Sequence, residues 1–435
     1  MFEKFKRSSK SNNSSEEKNE EMKKDEGFKK HRRSFFGHRE EQSYSELAAV
    51  LNRKIEDNKK RSYVIHNVDP VFLILFAITA CCAFIVSFSA TTSYADTFYG
   101  DKYHFVTQNI VFFLVGAALI WGAVLLARDM RIYVAFTFLG LALSLVLLLL
   151  VLVIGKEASG AKRWIEFGGV TIQPSEIAKT ALVMTLALYM SLFKDKITDK
   201  KSLKNSFVYG VLFPMIPILV ICGLVYLEKH NSGMIIIAII GIAVMYLGGT
   251  HFRWIAVIGA LGVAAGLALI YFSGHGLDRI ISFLAPKDVI TDDNWQTVQG
   301  LYAISSGGLF GLGFGESRLK YGYVSQPQND FIFPIICEEF GLVGGLIVVV
   351  LFLLMFLRAM KLGLNANNLF ASITICGLAV KLMLQVLLNI CVVTAIGPNT
   401  GISLPLFSAG GTAMLFQFLE FGIILGLSRY CDVKS

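Results

Sequence analysis

Charge is scarce in most of this chain. Of its 435 residues, 17% are charged and 54% are hydrophobic. A mean hydropathy of +0.59 is far above the range of soluble globular proteins and excludes that class. The formal charge of +8 is unevenly placed, because the first 67 residues are dense in Lys, Arg, Glu and Ser. We therefore expect a basic tail near anionic lipid, and not a nucleic-acid-binding protein.

Signatures of metal, disulfide and nucleotide chemistry are also lacking. The 7 cysteines form no CxxC or Cys/His pattern, which predicts neither a disulfide framework nor a zinc site. The histidines are isolated, so a metal triad is not expected. The stretch GLGFG at 311–315 has no βαβ context and is not a dinucleotide fingerprint. No inverted half-repeat is visible, which weakens an interpretation as a secondary transporter.

Long apolar runs dominate what is present. Runs of roughly 20 apolar residues span a bilayer as a helix, so the pattern predicts an all-α polytopic membrane protein with about ten spans. Basic residues gather near alternate span ends, which predicts that both termini are cytoplasmic. The first apolar run begins near Pro70, too deep for a cleavable signal peptide. The predicted spans cover residues 70–91, 105–127, 133–154, 175–193, 206–227, 233–249, 254–273, 331–357, 369–396 and 411–428.

These spans divide the chain into three parts. Residues 1–67 are predicted to form a charged and mostly disordered cytoplasmic tail, because they lack the apolar residues that offset ordering entropy. Residues 68–430 form the membrane domain and 431–435 a short cytoplasmic tail. The longest connection, 274–330, lies between spans 7 and 8 on the extracytoplasmic side. It contains a predicted amphipathic helix over 294–306 and a glycine-rich segment, so we expect it to be ordered and functional.

Three carboxylates mark the end of that loop. Asp330 stands where the polar segment meets an apolar run, and Glu338 and Glu339 lie inside the run. A carboxylate at the outer end of a span is placed to accept a proton as a general base, and partial burial raises its pKa toward a useful value. Helix capping by Asp330 is the structural alternative. Glu338 and Glu339 are expected to be internal polar anchors rather than reactive groups.

The connection at 160–179, GAKRWIEFGGVTIQPSEIAK, mixes cations, an aromatic residue and a helix start. Lys162 and Arg163 suit an anionic head group, since Arg offers a bidentate fork to phosphate. Glu176 and Lys179 have the spacing of a helical ion pair. An ordinary belt of interfacial residues is the alternative.

Two further patterns lie near the C-terminus. Lys381, Gln385 and Asn389 form one polar stripe on an otherwise apolar helix, which favours hydrogen bonding between helices. Lys381 needs an acidic partner, and Glu338, Glu339 and Glu420 are the candidates. Residues 397–411, GPNTGISLPLFSAGG, break helix geometry at membrane depth, where irregular backbone is tolerated only against protein or a wet cavity. We interpret this segment as a wall of the site.

These segments together resemble the shape, elongation, division and sporulation (SEDS) family, the FtsW/RodA/SpoVE proteins. The resemblance extends from Pro70 to Arg429 and is specific because the motifs occur in family order. The segment GFGESRLKYGY and the long N-terminal tail are more similar to the division and sporulation branch than to the elongation branch. His230 stands where the family usually has Asp. The matching motifs are GAKRW, QPSEIAK, AISSGGLFGLGFGESRLKYGY, NDFIFPIICEEFGLVGG, QVLLNI and TGISLPLFSAGG.

The resemblance implies ten spans and a peptidoglycan glycosyltransferase that polymerises lipid II at the outer face of a bacterial cytoplasmic membrane, releasing undecaprenyl pyrophosphate. Its essential Asp falls on Asp330, the expected general base. No organic cofactor is implied, but cations or a divalent ion such as Mg²⁺ or Mn²⁺ must steady the pyrophosphate charge. The candidate substrate-binding residues are Lys162, Arg163, Trp164, Gln173, Ser175, Glu176, Lys179, Glu338, Glu339, Lys381, Gln385, Asn389 and Ser408.

The implied partners are a class B penicillin-binding protein, which is a transpeptidase, and components of the division or sporulation machinery. Two alternatives remain open. The chain is a non-catalytic scaffold or activator of the transpeptidase, or it is a flippase for lipid II that uses the stripe on the ninth span as a polar path.

Overall fold

A computed structural model describes residues 67–100, 104–158, 161–167, 170–199, 202–273, 294–321, 323–324, 329–408 and 411–432. The predicted cytoplasmic tail up to residue 66, the first part of the large loop and residues 433–435 lie outside the described residues. All statements below concern the described part of the chain.

The fold is built from long apolar helices. Within the described residues, seven helices are long and apolar enough to cross a membrane and three more are apolar but shorter, which agrees with the ten predicted spans. The helices are α1 (Pro70–Tyr99), α2 (His104–Leu126), α3 (Met130–Ile154), α4 (Pro174–Ile197), α5 (Leu203–Phe207), α6 (Phe213–Leu227), α7 (Asn231–Leu247), α8 (Phe252–Ser273), α9 (Trp295–Ser306), α10 (Ile332–Leu364), α11 (Leu369–Val393) and α12 (Gly411–Ser428).

Short helices complete the predicted elements. The predicted fifth span is a composite of α5, a single π-helical turn over Val208–Leu212, and α6. The amphipathic helix predicted over 294–306 is confirmed as α9. Gly300 brings α9 close to the start of α10, because a Cβ there would lie 3.1 Å from Cδ1 of Phe331.

A small sheet joins α3 to α4, and the sequence did not predict it. Its strands are β1 (Lys156–Ala158), β2 (Ala161–Phe167) and β3 (Val170–Ile172), antiparallel in the order β1-β2-β3. The strands β1 and β3 have 3 residues each, and β2 (AKRWIEF) does not alternate between polar and apolar residues, so the sequence carries no strand pattern here. The sheet fixes the cationic motif, since Arg163 lies in its central strand.

Burial separates central helices from peripheral ones. The helices α4 and α11 have most of their length buried against protein, whereas α2 and α3 have little. The polar residues of the predicted site therefore lie mainly on the two central helices and their neighbours. In α4, the buried set includes the polar residues Ser175, Lys179 and Thr180.

A hydrogen-bonded clasp joins the ends of three helices at the side predicted to be cytoplasmic. The carboxylate of Asp69 accepts from the N–H of Phe72 at 2.7 Å, which caps α1. The same carboxylate receives two hydrogen bonds from the guanidinium of Arg358 on α10, at 3.0 and 2.5 Å. The backbone N–H of Asp69 donates to the hydroxyl of Ser428 on α12.

The helix α10 is broken near its N-terminal end. Gly341 has φ +70° and ψ −170°, which interrupts the helical backbone. The glycine-rich segment that follows α9, residues 307–320, supplies partners for the freed groups. The N–H groups of Leu312 and Gly313 donate to the carbonyls of Glu338 and Glu339 at 2.9 and 3.1 Å. In return the N–H of Leu342 donates to the carbonyl of Gly308 at 2.9 Å. The break is thereby satisfied by backbone hydrogen bonds.

Candidate functional site

Asp330 lies just before α10, in a turn that packs against α9, where Gly300 approaches Phe331. Its side chain is partly buried. Across from it lies Gly401, where a Cβ would be 3.3 Å from Oδ2 of Asp330. Gly401 has φ +64°, a conformation that glycine adopts at little cost. The predicted wall at 397–411 therefore does face the predicted base, and a glycine stands at the point of closest approach.

The electrostatic state of Asp330 follows from its surroundings. Burial raises the pKa of Asp330 to about 6, and no charged neighbour among the described residues contributes. A carboxyl group with this pKa is mostly ionised at neutral pH yet remains basic enough to accept a proton, which suits a general base. The capping alternative finds no support, since no cap hydrogen bond from its side chain to α10 is present among the described residues.

Asn389 on α11 links the turn that carries Asp330 to the 397–411 segment. Its Nδ2 donates to the backbone carbonyl of Asp330 at 2.9 Å and to that of Ile402 at 2.7 Å. The side chain is fully buried. Of the polar stripe on α11, this is the residue that contacts the Asp330 turn.

Lys381, at the end of the stripe away from Asp330, belongs to a buried network of four charged side chains. Lys381 forms an ion pair with Glu420 of α12, one of the three predicted partners, and its Nζ lies 3.9 Å from Oε2 of Glu176 on α4. Glu420 also accepts a hydrogen bond from the hydroxyl of Thr180. The predicted pair of Glu176 and Lys179 is confirmed, with Nζ and Oε1 2.6 Å apart. The network joins α4, α11 and α12, and Gln385 is buried between it and Asn389.

Glu338 and Glu339 are buried anchors, as the sequence suggested. Glu338 accepts from the hydroxyl of Ser317 at 2.6 Å and from the N–H of Leu319 at 3.2 Å. Glu339 accepts from the hydroxyl of Ser89 at 2.6 Å and pairs with Lys320 at 3.1 Å. Both glutamates thus tie the glycine-rich segment to α10, and Glu339 also ties it to α1.

The cationic motif lies on the small sheet. Lys162 is exposed and Trp164 is half-buried. Nη2 of Arg163 donates to the carbonyl of Lys229 at 2.9 Å, in the turn between α6 and α7. In the same turn, burial raises the pKa of Glu228 to about 8 against the opposing effect of Arg163. Arg163 therefore supports this turn as well as presenting positive charge at the sheet.

Three remaining candidates lie at the ends of elements. Gln173 precedes α4 without making a side-chain cap hydrogen bond. Ser175 is buried, and its hydroxyl finds no hydrogen-bond partner among the described residues. Ser408 is buried at the end of the wall segment. In the described part of the chain, none of the three forms a side-chain hydrogen bond with Asp330, whereas Asn389 contacts the backbone of Asp330 directly.

Several residues of the site were not singled out by the sequence. Gly401 gave no signal, because a single glycine in a glycine-rich segment does not reveal what it faces. Lys320 and Ser89 bind Glu339, and the need of a buried carboxylate for a partner was the one signal available. Residues that are far apart in the chain meet here only through the packing of α1, α9 and α10.

The chain is similar to known proteins over most of its length. A profile of the FtsW/RodA/SpoVE family, described as a cell cycle protein, matches residues 69–432. Stage V sporulation protein E of Bacillus subtilis is 30% identical over 368 residues, covering 83% of this chain and 97% of that protein. A protein of Trichlorobacter lovleyi named probable peptidoglycan glycosyltransferase FtsW is 30% identical over 374 residues, covering 85% of this chain and 95% of that protein.

Solved structures agree with this relation. The crystal structure of the rod shape determining protein RodA of Thermus thermophilus superposes with a TM-score of 0.60 at 25% identity, covering 84% of this chain and 98% of RodA. A chain from a peptidoglycan synthase complex, described as coordinating polymerization and crosslinking, superposes with a TM-score of 0.67 at 24% identity. It covers 84% of this chain and 99% of its own length. From the profile, the relatives and the shared fold, we conclude that this multi-pass membrane protein belongs to the FtsW/RodA/SpoVE family of cell cycle proteins.

Proposed function

We propose that the protein is a peptidoglycan glycosyltransferase that polymerises lipid II into glycan strands, with Asp330 as the general base. The observation that carries the proposal is the state of Asp330. It is a desolvated carboxyl group with a pKa of about 6, and it lies at the outer end of α10 against a glycine wall. The relatives named probable peptidoglycan glycosyltransferases support the same reaction.

The chemistry needs one proton acceptor. The hydroxyl oxygen of the acceptor sugar forms a bond to the anomeric carbon of the donor. The bond from that carbon to undecaprenyl pyrophosphate breaks, and its electron pair leaves with the pyrophosphate. Asp330 takes the hydroxyl proton as the new bond forms and later releases it to water. A displacement with inversion needs only this one base, because the pyrophosphate leaves without protonation.

The leaving group needs positive charge. Lys162 is exposed on β2, so we assign the pyrophosphate to the face of the small sheet that carries Lys162. Arg163 is the next residue of the strand and points to the opposite face, where it adds positive charge and binds the carbonyl of Lys229. Among the described residues, no group of three or more His, Cys, Asp or Glu side chains is arranged to hold a metal ion. We therefore propose that Mg²⁺ or Mn²⁺ enters as a complex with the pyrophosphate, whose own oxygens are suitable ligands.

We further propose that the site opens to the extracytoplasmic side and that the partner is a class B penicillin-binding protein, with division or sporulation components around it. A structural neighbour that comes from a peptidoglycan synthase complex supports such a partnership. The flippase alternative is less favoured, because Lys381, Gln385 and Asn389 are each at most 2% exposed. A stripe buried to this extent fills the bundle rather than lining an open polar path.

The test is polymerisation of purified lipid II by the full chain, with and without the transpeptidase. We expect Asp330→Asn and Asp330→Ala to lower the rate about 10²–10⁴-fold, which is the typical contribution of a general base. Activity of the wild type is expected to rise with pH through about 6 and then level off, because the base must be deprotonated.

Glu316→Gln, at an exposed residue of the glycine-rich segment, is the control and should retain activity. Polymerisation retained by both Asp330 variants would contradict the proposal. An inactive wild type that supports a transpeptidase would favour the scaffold, and translocation of lipid II that does not depend on Asp330 would favour the flippase.

A further inference from the structure

The amide of Asn389 is the direct connection between the Asp330 turn and the segment facing it. Its Nδ2 reaches the carbonyl of Asp330 on one side and the carbonyl of Ile402 on the other, at 2.9 and 2.7 Å. Ile402 follows Gly401, which is the residue that faces Oδ2 of Asp330. One side chain thus binds both the turn that carries Asp330 and the segment that faces its carboxylate.

The orientation of this amide is fixed by chemistry. Both partners are carbonyl oxygens, which only accept hydrogen bonds, so the NH₂ group and not the oxygen must face them. The Oδ1 atom then points away and has no hydrogen-bond partner among the described residues. A buried amide that leaves its own oxygen unpaired incurs a desolvation cost, and the two carbonyls it satisfies offset that cost.

The helix that carries Asn389 is a firm support. The residue is completely buried, and α11 is one of the two most buried of the long helices. Two turns along the same face, Lys381 is paired with Glu420 and close to Glu176. The position of Asn389 is therefore set by the core of the bundle and not by the loops that it binds.

We propose that Asn389 is a positioning residue for Asp330: it sets the width of the gap between the 329–331 turn and the 399–402 segment and does not bind substrate. Its effect on catalysis rests on the proposed function, whereas its effect on the backbone does not. The amide is already engaged by two carbonyls and is shielded from solvent, so it has no donor to offer a ligand.

The first measurement needs no activity. In the full chain in detergent, amide hydrogen exchange is compared for the wild type, Asn389→Ala and Asn389→Asp. The Asp variant keeps the shape but offers at most one proton, so at least one carbonyl loses its donor. We expect peptides covering 329–333 and 399–404 to exchange at least fivefold faster in both variants. Unchanged exchange in these peptides would overturn the proposed clamp.

The second measurement is the pH profile of lipid II polymerisation. With the gap loosened, water reaches Asp330, and its pKa should fall from about 6 towards about 4. We expect the acid limb of kcat to move in that direction. At its plateau kcat should fall about 10- to 100-fold, the scale of a small misplacement, with KM changed less than threefold.

The control is Leu387→Ala, a half-exposed residue on the same helix, which should leave exchange, kcat and the acid limb unchanged. A raised KM with an unmoved acid limb would show that Asn389 binds substrate and would overturn the proposal. A loss of kcat by the same factor at every pH, with no shift of the acid limb, would show that Asn389 has only a packing role. That result would also overturn the proposal. Faster exchange in a protein whose wild type does not polymerise lipid II would refute the proposed function alone.

Discussion

The three carboxylates near the N-terminal end of α10 have different roles because their surroundings differ. Glu338 and Glu339 are buried, and each is bound by hydroxyl, amide or ammonium donors. Asp330 is also desolvated, but no donor from the described residues binds its carboxylate. A buried carboxylate that is bound by such donors is a structural tie, whereas the carboxylate of Asp330 is free to accept a proton.

At the same scale, the pair of Lys381 and Glu420 is a test of the buried network. Removing one partner leaves a charge buried without compensation, which typically costs about 3–5 kcal/mol. We expect Lys381→Met and Glu420→Gln each to lower the Tm of the purified protein clearly. The double variant should lose less than the sum of the two, because it leaves neither charge behind.

Lys204→Met is the matched control, since this lysine is exposed on α5 and should change the Tm little. Strict additivity of the two single substitutions would show that Lys381 and Glu420 are not coupled. Glu176 would then be the effective partner of Lys381, and Glu176→Gln would show the missing coupling.

Among the helices, α10 and the glycine-rich segment behave as one unit. The segment donates to the carbonyls of Glu338 and Glu339 and accepts from the N–H of Leu342, so each part completes the hydrogen bonding of the other. This arrangement lets the backbone leave helical geometry at the membrane boundary without unpaired groups. It also fixes the start of α10, where Asp330 stands.

Gly341 should not tolerate a side chain. Its φ and ψ lie in a region that is essentially restricted to glycine, and a Cβ would be 2.3 Å from the carbonyl oxygen of Leu309. We expect Gly341→Ala to lower the Tm by at least 10 °C or to prevent recovery of folded protein. Gly311→Ala should act in the same way, because its Cβ would be 2.1 Å from the carbonyl oxygen of Glu339.

Gly259→Ala in α8 provides the comparison. A Cβ at this helical position meets nothing within 4 Å, so alanine should be neutral or slightly stabilising. Thermal unfolding followed by size-exclusion fluorescence measures all three variants. A Gly341→Ala protein as stable as Gly259→Ala would refute the close packing of Gly341 against the glycine-rich segment.

For the molecule as a whole, the arrangement in the membrane follows from charge and hydropathy. The basic loops alternate with the spans, which predicts that the α4–α5 connection faces the cytoplasm and that the glycine-rich segment faces outward. The proposed function requires this orientation, because its lipid-linked substrate lies in the outer leaflet.

Cysteine labelling tests that orientation. In a functional variant without its native cysteines, we expect Glu316→Cys to react with a membrane-impermeant maleimide in intact cells. Lys204→Cys should react only after permeabilisation. Both residues are exposed, so accessibility on the protein itself does not limit the reaction. The reverse pattern would invert the predicted topology and place the Asp330 site at the cytoplasmic face.

The sequence by itself determined the features that depend on local pattern. Runs of apolar residues gave ten helices close to the observed ones, and the boundary of polar and apolar segments indicated Asp330. The spacing of Glu176 and Lys179 on one helix predicted their ion pair. These features are readable because one helical turn or one bilayer crossing is recorded in consecutive residues.

Only the tertiary structure decided which distant groups meet. The sequence offered three partners for Lys381, and packing of α11 against α12 selected Glu420. The stripe on α11 identified Asn389 as polar and helix-facing, but not that its amide joins the carbonyls of Asp330 and Ile402. The break at Gly341 likewise depends on hydrogen bonds to residues 308–313, which come well before it in the chain. Such contacts carry no periodic signal, because the two sides are brought together by the packing of the whole bundle.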